Sequence, residues 1–416
     1  MNPDLLALLR CPYCGGRLDL VESIYHVRAG GAIQHGILGC QCCIFPLVDG
    51  IPVLHLQPNA TTARDQVQAG RPDAALRTMI GVEGDAQAAA VEAVMRSETA
   101  TYRETVDAFG PNFEGGYFLY RFSDPTYIVA QAVMRAVARP ALAGARRAVD
   151  ICGGSGHLTR SLLDLTTAPP VVADLYFGKL WLARRFTAPG CEPVCCDGNA
   201  PMPFARGAFA FAMCTDAFMY IWTKRQFVGE MARLIDNPRE PPGALLIGHT
   251  HNERTWTPSH GQPLSPAGYA AIFETVPARI FGETALFDQV VSGGPLDLSR
   301  REPSHELDRE QALTIVATAR PDVYGRHPLD EPSGLAGEYR LNPLYAAESD
   351  GDEMRLRLRF PSDDYEQEYA ASRRYLPDEL TVPRAALAML PGDVVPPALA
   401  ELVRRRVILR LPGRYC

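Results

Sequence analysis

Between residues 146 and 291 the chain alternates between short apolar runs and helical stretches, and this alternation restricts the fold more than any other feature. "RRAVDIC", "PPVVADLY", "CEPVCCDG", "FAFAMCTDAF" and "ALLIGHTHN" read as strands, while "GHLTRSLLDL", "GKLWLARRF" and "TKRQFVGEMARLID" read as helices. Strands separated by helices pair in parallel with helices on both faces. The expectation is an α/β, doubly wound sheet whose ligands sit at the carboxyl ends of its strands.

The 416 residues leave room for two or three domains around such a sheet. A formal charge of -7 removes the positive field that draws proteins to phosphate backbones, so nucleic acid is disfavoured as the main partner. No apolar stretch reaches the roughly 18 residues of a membrane span, and "LLALLR" is too short and too soon followed by "CPYC" for a secretory segment. The chain therefore reads as cytoplasmic, and its 11 cysteines read as thiols and metal ligands rather than a disulfide framework.

Five cysteines fall within the first 43 residues. Cys11 and Cys14 form one C-x-x-C knuckle, and Cys40 and Cys43 form a second. Four thiolates brought together by hairpins suit a structural Zn²⁺. The spacer exceeds the usual roughly 15 to 20 residues, and "IYHVRAGGAIQHGIL" absorbs the excess as two strands around a Gly-rich turn. Cys42 competes with Cys43 as fourth ligand. The stretches "LLALLRCPYCGGRL" and "FPLVDGIPVL" make residues 1–57 resemble the small zinc-ribbon proteins that activate tRNA, rRNA and protein methyltransferases. The second knuckle stands closer to Phe45 and Pro46 than is usual there. That resemblance implies a ribbon that does no chemistry and covers an apolar edge of a methyltransferase.

The first strand of the alternating region runs into "DICGGSG", a loop of small residues that lets a ligand approach the backbone. Such loops also serve dinucleotides and phosphates. Asp150, Gly154 and Gly156 make the segment similar to the first motif of class I S-adenosylmethionine-dependent methyltransferases, with Cys152 at the place of the first glycine and Gly153 out of register. Cys152 fits only if its backbone avoids positive φ, which costs a residue with a Cβ about 1 to 2 kcal/mol. The resemblance implies that Asp174, with Leu175 beside it, holds the cofactor ribose. It also implies that Asp197 and Gly198 meet the adenine and that the helix after Gly156 favours the methionine carboxylate. Tyr117, Tyr120, Arg121 and Phe122 are candidates for a lid, with Tyr120 against the cofactor.

Methyl transfer requires a nucleophile aligned with the methyl group and, where it carries a proton, a base. Asp216 after the fourth strand, and His249 and His251 at the end of the fifth, are the candidate catalytic residues. A metal held by the His-x-His pair with Asp216 is a further option, and His157 reads as packing. The expected divisions are a zinc ribbon (1–57), a linker and helical lid segment (58–145), a methyltransferase core (146–291) and a C-terminal α+β extension that caps substrate or dimerises (292–416). The resulting expectation is an S-adenosylmethionine-dependent methyltransferase acting on an O or N atom of a small molecule, a sugar or secondary metabolite, with homodimerisation open. The alternatives are an RNA methyltransferase and a non-catalytic S-adenosylmethionine-binding scaffold.

Overall fold

The computed structural model describes residues 1–110, 118–144, 147–257 and 261–416. We number the strands and main helices of the central region in chain order: α1 (Pro125–Ala141), β1 (Ala148–Ile151), α2 (His157–Arg160), β2 (Val171–Asp174), α3 (Phe177–Leu182), β3 (Glu192–Cys195), β4 (Phe211–Thr215), α4 (Lys224–Ile235), β5 (Ala244–His251), β6 (Ala278–Gly282), α5 (Glu283–Val291) and β7 (Ala312–Thr318). Every strand expected from the alternation is present.

The seven strands form one sheet in the order β6-β7-β5-β4-β1-β2-β3. Pairing is parallel from β3 through to β5, and β7 runs antiparallel to both β5 and β6. The sheet therefore extends past residue 291, where the sequence reading ended the core, because "QALTIVATAR" inserts between two earlier strands. Alternate residues serve opposite faces, as period-2 side-chain geometry requires. Phe211 and Met213 join the cluster under α1, α3 and α5, whereas Ala212 and Cys214 join the cluster under α4. The order reverses at β1 and β4, and the crevice beyond the carboxyl ends there is where a doubly wound sheet places its ligand.

The N-terminal residues fold as a helix (Pro3–Leu8) and a five-stranded sheet centred on Ala32–Gly39 and Ile44–Val48. This unit closes the β3 edge. The Leu54 amide donates to the Cys195 carbonyl at 2.7 Å and Val53 bridges Cys195 in parallel, while Arg10 and Ala205 pair with Pro203 and Leu8 through the backbone. Phe45, Leu47 and Leu54 share one buried cluster with Val194, Phe204 and Phe209. An otherwise unpaired edge strand is thereby satisfied and its apolar flank covered.

Residues 58–109 form helices at Pro58–Gln68, Pro72–Ile80, Gly84–Arg96 and Tyr102–Phe109, the first two in place of a loose linker and the last two within the expected helical segment. Proline opens the first two, Gly81 ends the second in the left-handed region, and a Thr101/Glu104 capping box starts the last. Composition hid the first two because alanines carry much of their buried face: Ala60, Ala63 and Ala75 pack beside Val67, Leu76 and Met79. Beyond β7, strands Glu338–Leu341 and Ile408–Leu411 pair, and Tyr345–Asp350, Glu353–Leu358 and Glu379–Pro383 form a meander with helix Asp363–Tyr369 on a separate small core. Among the described residues no helix is long and apolar enough to cross a membrane.

Candidate functional site

The loop after β1 takes its shape from three positive φ angles, +59° at Cys152, +54° at Gly154 and +74° at Gly156. Cys152 thus occupies the region that sequence reasoning required it to avoid, at a cost of about 1 to 2 kcal/mol. Its side chain explains where it goes: a Cβ on Gly198 would come within 3.3 Å of Cys152 Sγ, which also contacts Cys214. Gly153, out of register with the motif, has a packing role. A Cβ there would lie 2.7 Å from the Asp150 carboxylate. Asp150 itself is buried beneath the loop, accepts from the Thr159 hydroxyl at 2.6 Å, and is pushed by burial up to about 7. It shapes the loop from below and does not face the crevice.

Asp174 ends β2 and ties two loops together. Its Oδ2 accepts from the Gly154 amide at 3.0 Å and its Oδ1 from the Tyr176 amide at 2.8 Å. Burial raises its pKa while these amides oppose the rise. A carboxylate holds several acceptor sites, so lone pairs remain for hydroxyls on the crevice side. Cys152, Gly153, Gly154, Leu175, Asp197 and Gly198 are half-buried around the same crevice, and Asp197 fixes its own turn by accepting from the Asn199 amide at 2.8 Å. A Cβ on Gly154 would meet nothing closer than the Lys179 side chain at 3.9 Å. The loop is thus open on its crevice side, as an adenosyl cofactor requires.

One expectation about this half is corrected, the place of Tyr120. Helix α2, after Gly156, is a single turn. Lys179 is the nearby cation, lying 4.6 Å from the Phe118 ring centroid. Tyr120, expected against the loop after β1, packs instead on Tyr365 at 5.7 Å between ring centroids. Residues Phe118–Ser123 form a 3-10 helix, whose three-residue turn aligns Phe118 with Arg121 and sends Tyr120 to another side. Phe122 packs on Tyr127 and His157, and Tyr117 lies outside the described residues. His157 is buried among Tyr102, Phe122 and Tyr415, as a packing residue, with its Nε2 at 2.8 Å from the Tyr415 hydroxyl.

A second group of polar side chains lies at the carboxyl ends of β4 and β5. Asp216, at φ +56°, accepts from Arg121 at 2.8 Å, and Arg121 also pairs with buried Asp124 at 3.3 Å. A bulge between Ile247 and Thr250 places His249 at φ +46° and re-aims its ring. Its Nδ1 lies 2.6 Å from Glu283 Oε2, its amide donates to Glu283 Oε1 at 2.9 Å, and Thr314 donates to that same Oε1 at 2.8 Å. Burial alone would lower the His249 pKa, but Glu283 outweighs it and holds the imidazole at about 9. His251 stands 5.5 Å away between ring centroids and is driven down to about 4 by burial and by His249. Asp216, His249 and His251 are therefore brought together. Glu368 and Tyr369, from helix Asp363–Tyr369, add their charge and ring to this cluster. Glu283 and Glu368 carry no local sequence signal and were not foreseen as site residues, whereas Arg121, expected in a lid, is here the ion-pair partner of Asp216.

At the ribbon, the sulfurs of Cys11, Cys14, Cys40 and Cys42 lie within 4.8 Å of one another and could hold a metal ion. Contacts of 4.0, 3.7 and 3.6 Å join Cys11 to Cys42, Cys14 to Cys40 and Cys40 to Cys42. Tetrahedral zinc with Zn–S bonds of about 2.3 Å needs sulfurs roughly 3.8 Å apart. Cys43 is not in the group, contrary to the expected knuckle. The hairpin returns at Ile44, so Cys43 instead directs its amide to Cys40 Sγ at 3.3 Å.

No protein-family model and no curated protein matches this sequence. Among solved structures, the chain is similar to an S-adenosylmethionine-dependent methyltransferase from Mesorhizobium loti, with 16% identity, TM-score 0.34, and coverage of 46% of this chain and 99% of that one. A chain of the complex that the Haloferax volcanii Trm112 methyltransferase activator forms overlaps at 18% identity and TM-score 0.31, covering 47% and 98%. Geranyl diphosphate C-methyltransferase from Streptomyces coelicolor A3(2) overlaps at 16% identity and TM-score 0.32, covering 42% and 70%. Overlaps this slight carry no inference, and the doubly wound assignment rests on the strand order and the two-faced packing of the sheet itself.

Proposed function

We propose that the chain is an S-adenosylmethionine-dependent methyltransferase acting on an O or N atom of a small molecule, with a structural zinc in its N-terminal ribbon. The observation that carries this reading is the Gly154 amide on the Asp174 carboxylate, which ties the loop after β1 to the end of β2 beside the switch point of the sheet. It couples a glycine loop open to the crevice with an acid placed for a ribose. The loop at Cys152, Gly154 and Gly156, with Asp174 and Leu175, would hold the aminoacyl and ribose portions, and Asp197 and Gly198 the adenine. When bound, the cofactor supplies an electrophilic methyl group on a sulfonium, whose C–S bonding pair stays with sulfur. The protein's part is to align the acceptor, exclude water and remove a proton. The net charge and the carboxylates around Asp216 support a small molecule over a nucleic acid. Residues 1–57 serve the sheet edge, and residues after β7 wall the acceptor side.

Titration calorimetry with S-adenosylhomocysteine tests the reading. Binding is expected in the wild type, and Asp174→Ala should weaken it about tenfold to a hundredfold, the effect of losing a charge-assisted acceptor of roughly 1.5 to 3 kcal/mol. Absence of binding, or equal affinity in both proteins, refutes it. Binding without methyl transfer to any acceptor would favour the scaffold alternative.

A further inference from the structure

His249 differs from an ordinary strand histidine in three ways. Its backbone is left-handed at a bulge, its Nδ1 is held by Glu283 at 2.6 Å, and Glu283 is itself fixed by the His249 amide and the Thr314 hydroxyl. Non-glycine residues held in this region cost about 1 to 3 kcal/mol and persist where the surroundings over-determine them. Here they do: β5, α5 and β7 all supply a contact. Among the described residues, the remaining ring nitrogen, Nε2, makes no hydrogen bond and is not sealed from solvent, whereas His251 Nδ1 is buried without a partner and no hydrogen bond orients that ring. A carboxylate on Nδ1 fixes the tautomer and aims Nε2 as proton acceptor.

We propose that His249 and Glu283 form the acceptor-activating dyad of this site, with His249 Nε2 receiving the acceptor's proton and Glu283, anchored by Thr314, as the positioning residue. This rests on the methyltransferase reading above. In the step, the acceptor's O–H or N–H bond breaks, the proton passes to Nε2, and the bonding pair stays on the oxygen or nitrogen that takes the methyl group. Imidazolium then returns the proton to solvent.

The dyad also sets the pH at which the acceptor is activated. The groups facing His249 are Asp216 from β4, Arg121 from the segment before α1, Glu283 from α5, His251 on its own strand, and Glu368 from helix Asp363–Tyr369. Their sum leaves His249 at about 9. Near neutrality the ring is mostly imidazolium, and the neutral form whose Nε2 receives the acceptor's proton grows as pH rises toward 9.

Long-range ¹H–¹⁵N spectra of the full chain, labelled at histidine nitrogens, test this without turnover. One histidine should carry a proton on Nδ1 and titrate near 9. In Glu283→Gln that signal should move down toward the ordinary value of about 6.5, and Thr314→Val should move it in the same direction by less. A bare Nδ1, or a titration unchanged by Glu283→Gln, overturns the proposal. Calorimetric binding of S-adenosylhomocysteine in the same samples separates failure of the dyad from failure of the methyltransferase reading.

Discussion

The β3 edge and the carboxyl end of the sheet meet the rest of the molecule in opposite ways. At the β3 edge, residues 51–55 add backbone hydrogen bonds and apolar side chains to a strand that needs both, and no described residue there but Asp49, in the hairpin turn, departs from ordinary backbone geometry. At the carboxyl end, Cys152, Asp216 and His249 all stand at positive φ without being glycine, and buried polar atoms of Thr215 and His251 go unpartnered. The first surface is optimised for stability. The second holds strain and unmet hydrogen-bonding capacity, the marks of a surface organised for a ligand.

The largest effect should come from breaking the ribbon. Cys42→Ser should abolish stoichiometric zinc and lower the melting temperature of the whole chain, at a cost of several kcal/mol, because the ribbon shares a core with β3. Cys43→Ser should keep the metal. Elemental analysis and thermal denaturation decide the matter, and zinc loss in Cys43→Ser with retention in Cys42→Ser would reverse the ligand assignment.

A smaller effect is expected at the carboxyl end. The His249–Glu283 pair contributes about 1 to 3 kcal/mol, as charge-assisted hydrogen bonds do. His249 is raised to about 9, so its share is complete below the unfolded value and is lost as pH climbs through 9. Glu283 is lowered, so its share is present above the unfolded carboxylate range and is lost as pH falls through its folded value. The stability difference between wild type and Glu283→Gln should therefore be greatest at about pH 5 to 6, between the two unfolded values, and shrink at both extremes. Denaturant titrations that give a difference independent of pH would show that the pair is not ionised.

The smallest test lies within the glycine loop. Gly153→Ala should cost about 1 to 3 kcal/mol through overpacking on Asp150. Gly154→Ala, at positive φ but in open space, should cost about 1 kcal/mol. Only Gly154→Ala should weaken S-adenosylhomocysteine binding beyond its effect on stability. The reverse order would mean that Gly153, not Gly154, faces the cofactor.

Much of the fold was legible because strands and helices announce themselves through periods of two and 3.6 residues within a few neighbours. The five strands from Ala148 to His251, the loop at Asp150 to Gly156 and the acid at Asp174 all belong to that local grammar. The helices of residues 58–80 escaped it because alanine buries a face without adding to apparent hydrophobicity. So did the insertion of β7 between β5 and β6, since strand order depends on crossings that no local pattern encodes.

By itself, then, the sequence determined which segments extend and which coil, where the backbone turns sharply, and that thiolates gather near the start. The tertiary structure alone decided that Cys42 and not Cys43 completes the sulfur group, that Phe118 lies against Lys179 while Tyr120 packs on Tyr365, and that Glu283 holds His249 while Arg121 holds Asp216 across 95 residues of chain. The reason is physical. Periodicity and turn chemistry act within about one or two turns of chain, whereas the site is made of contacts whose partners become neighbours only after the sheet has assembled.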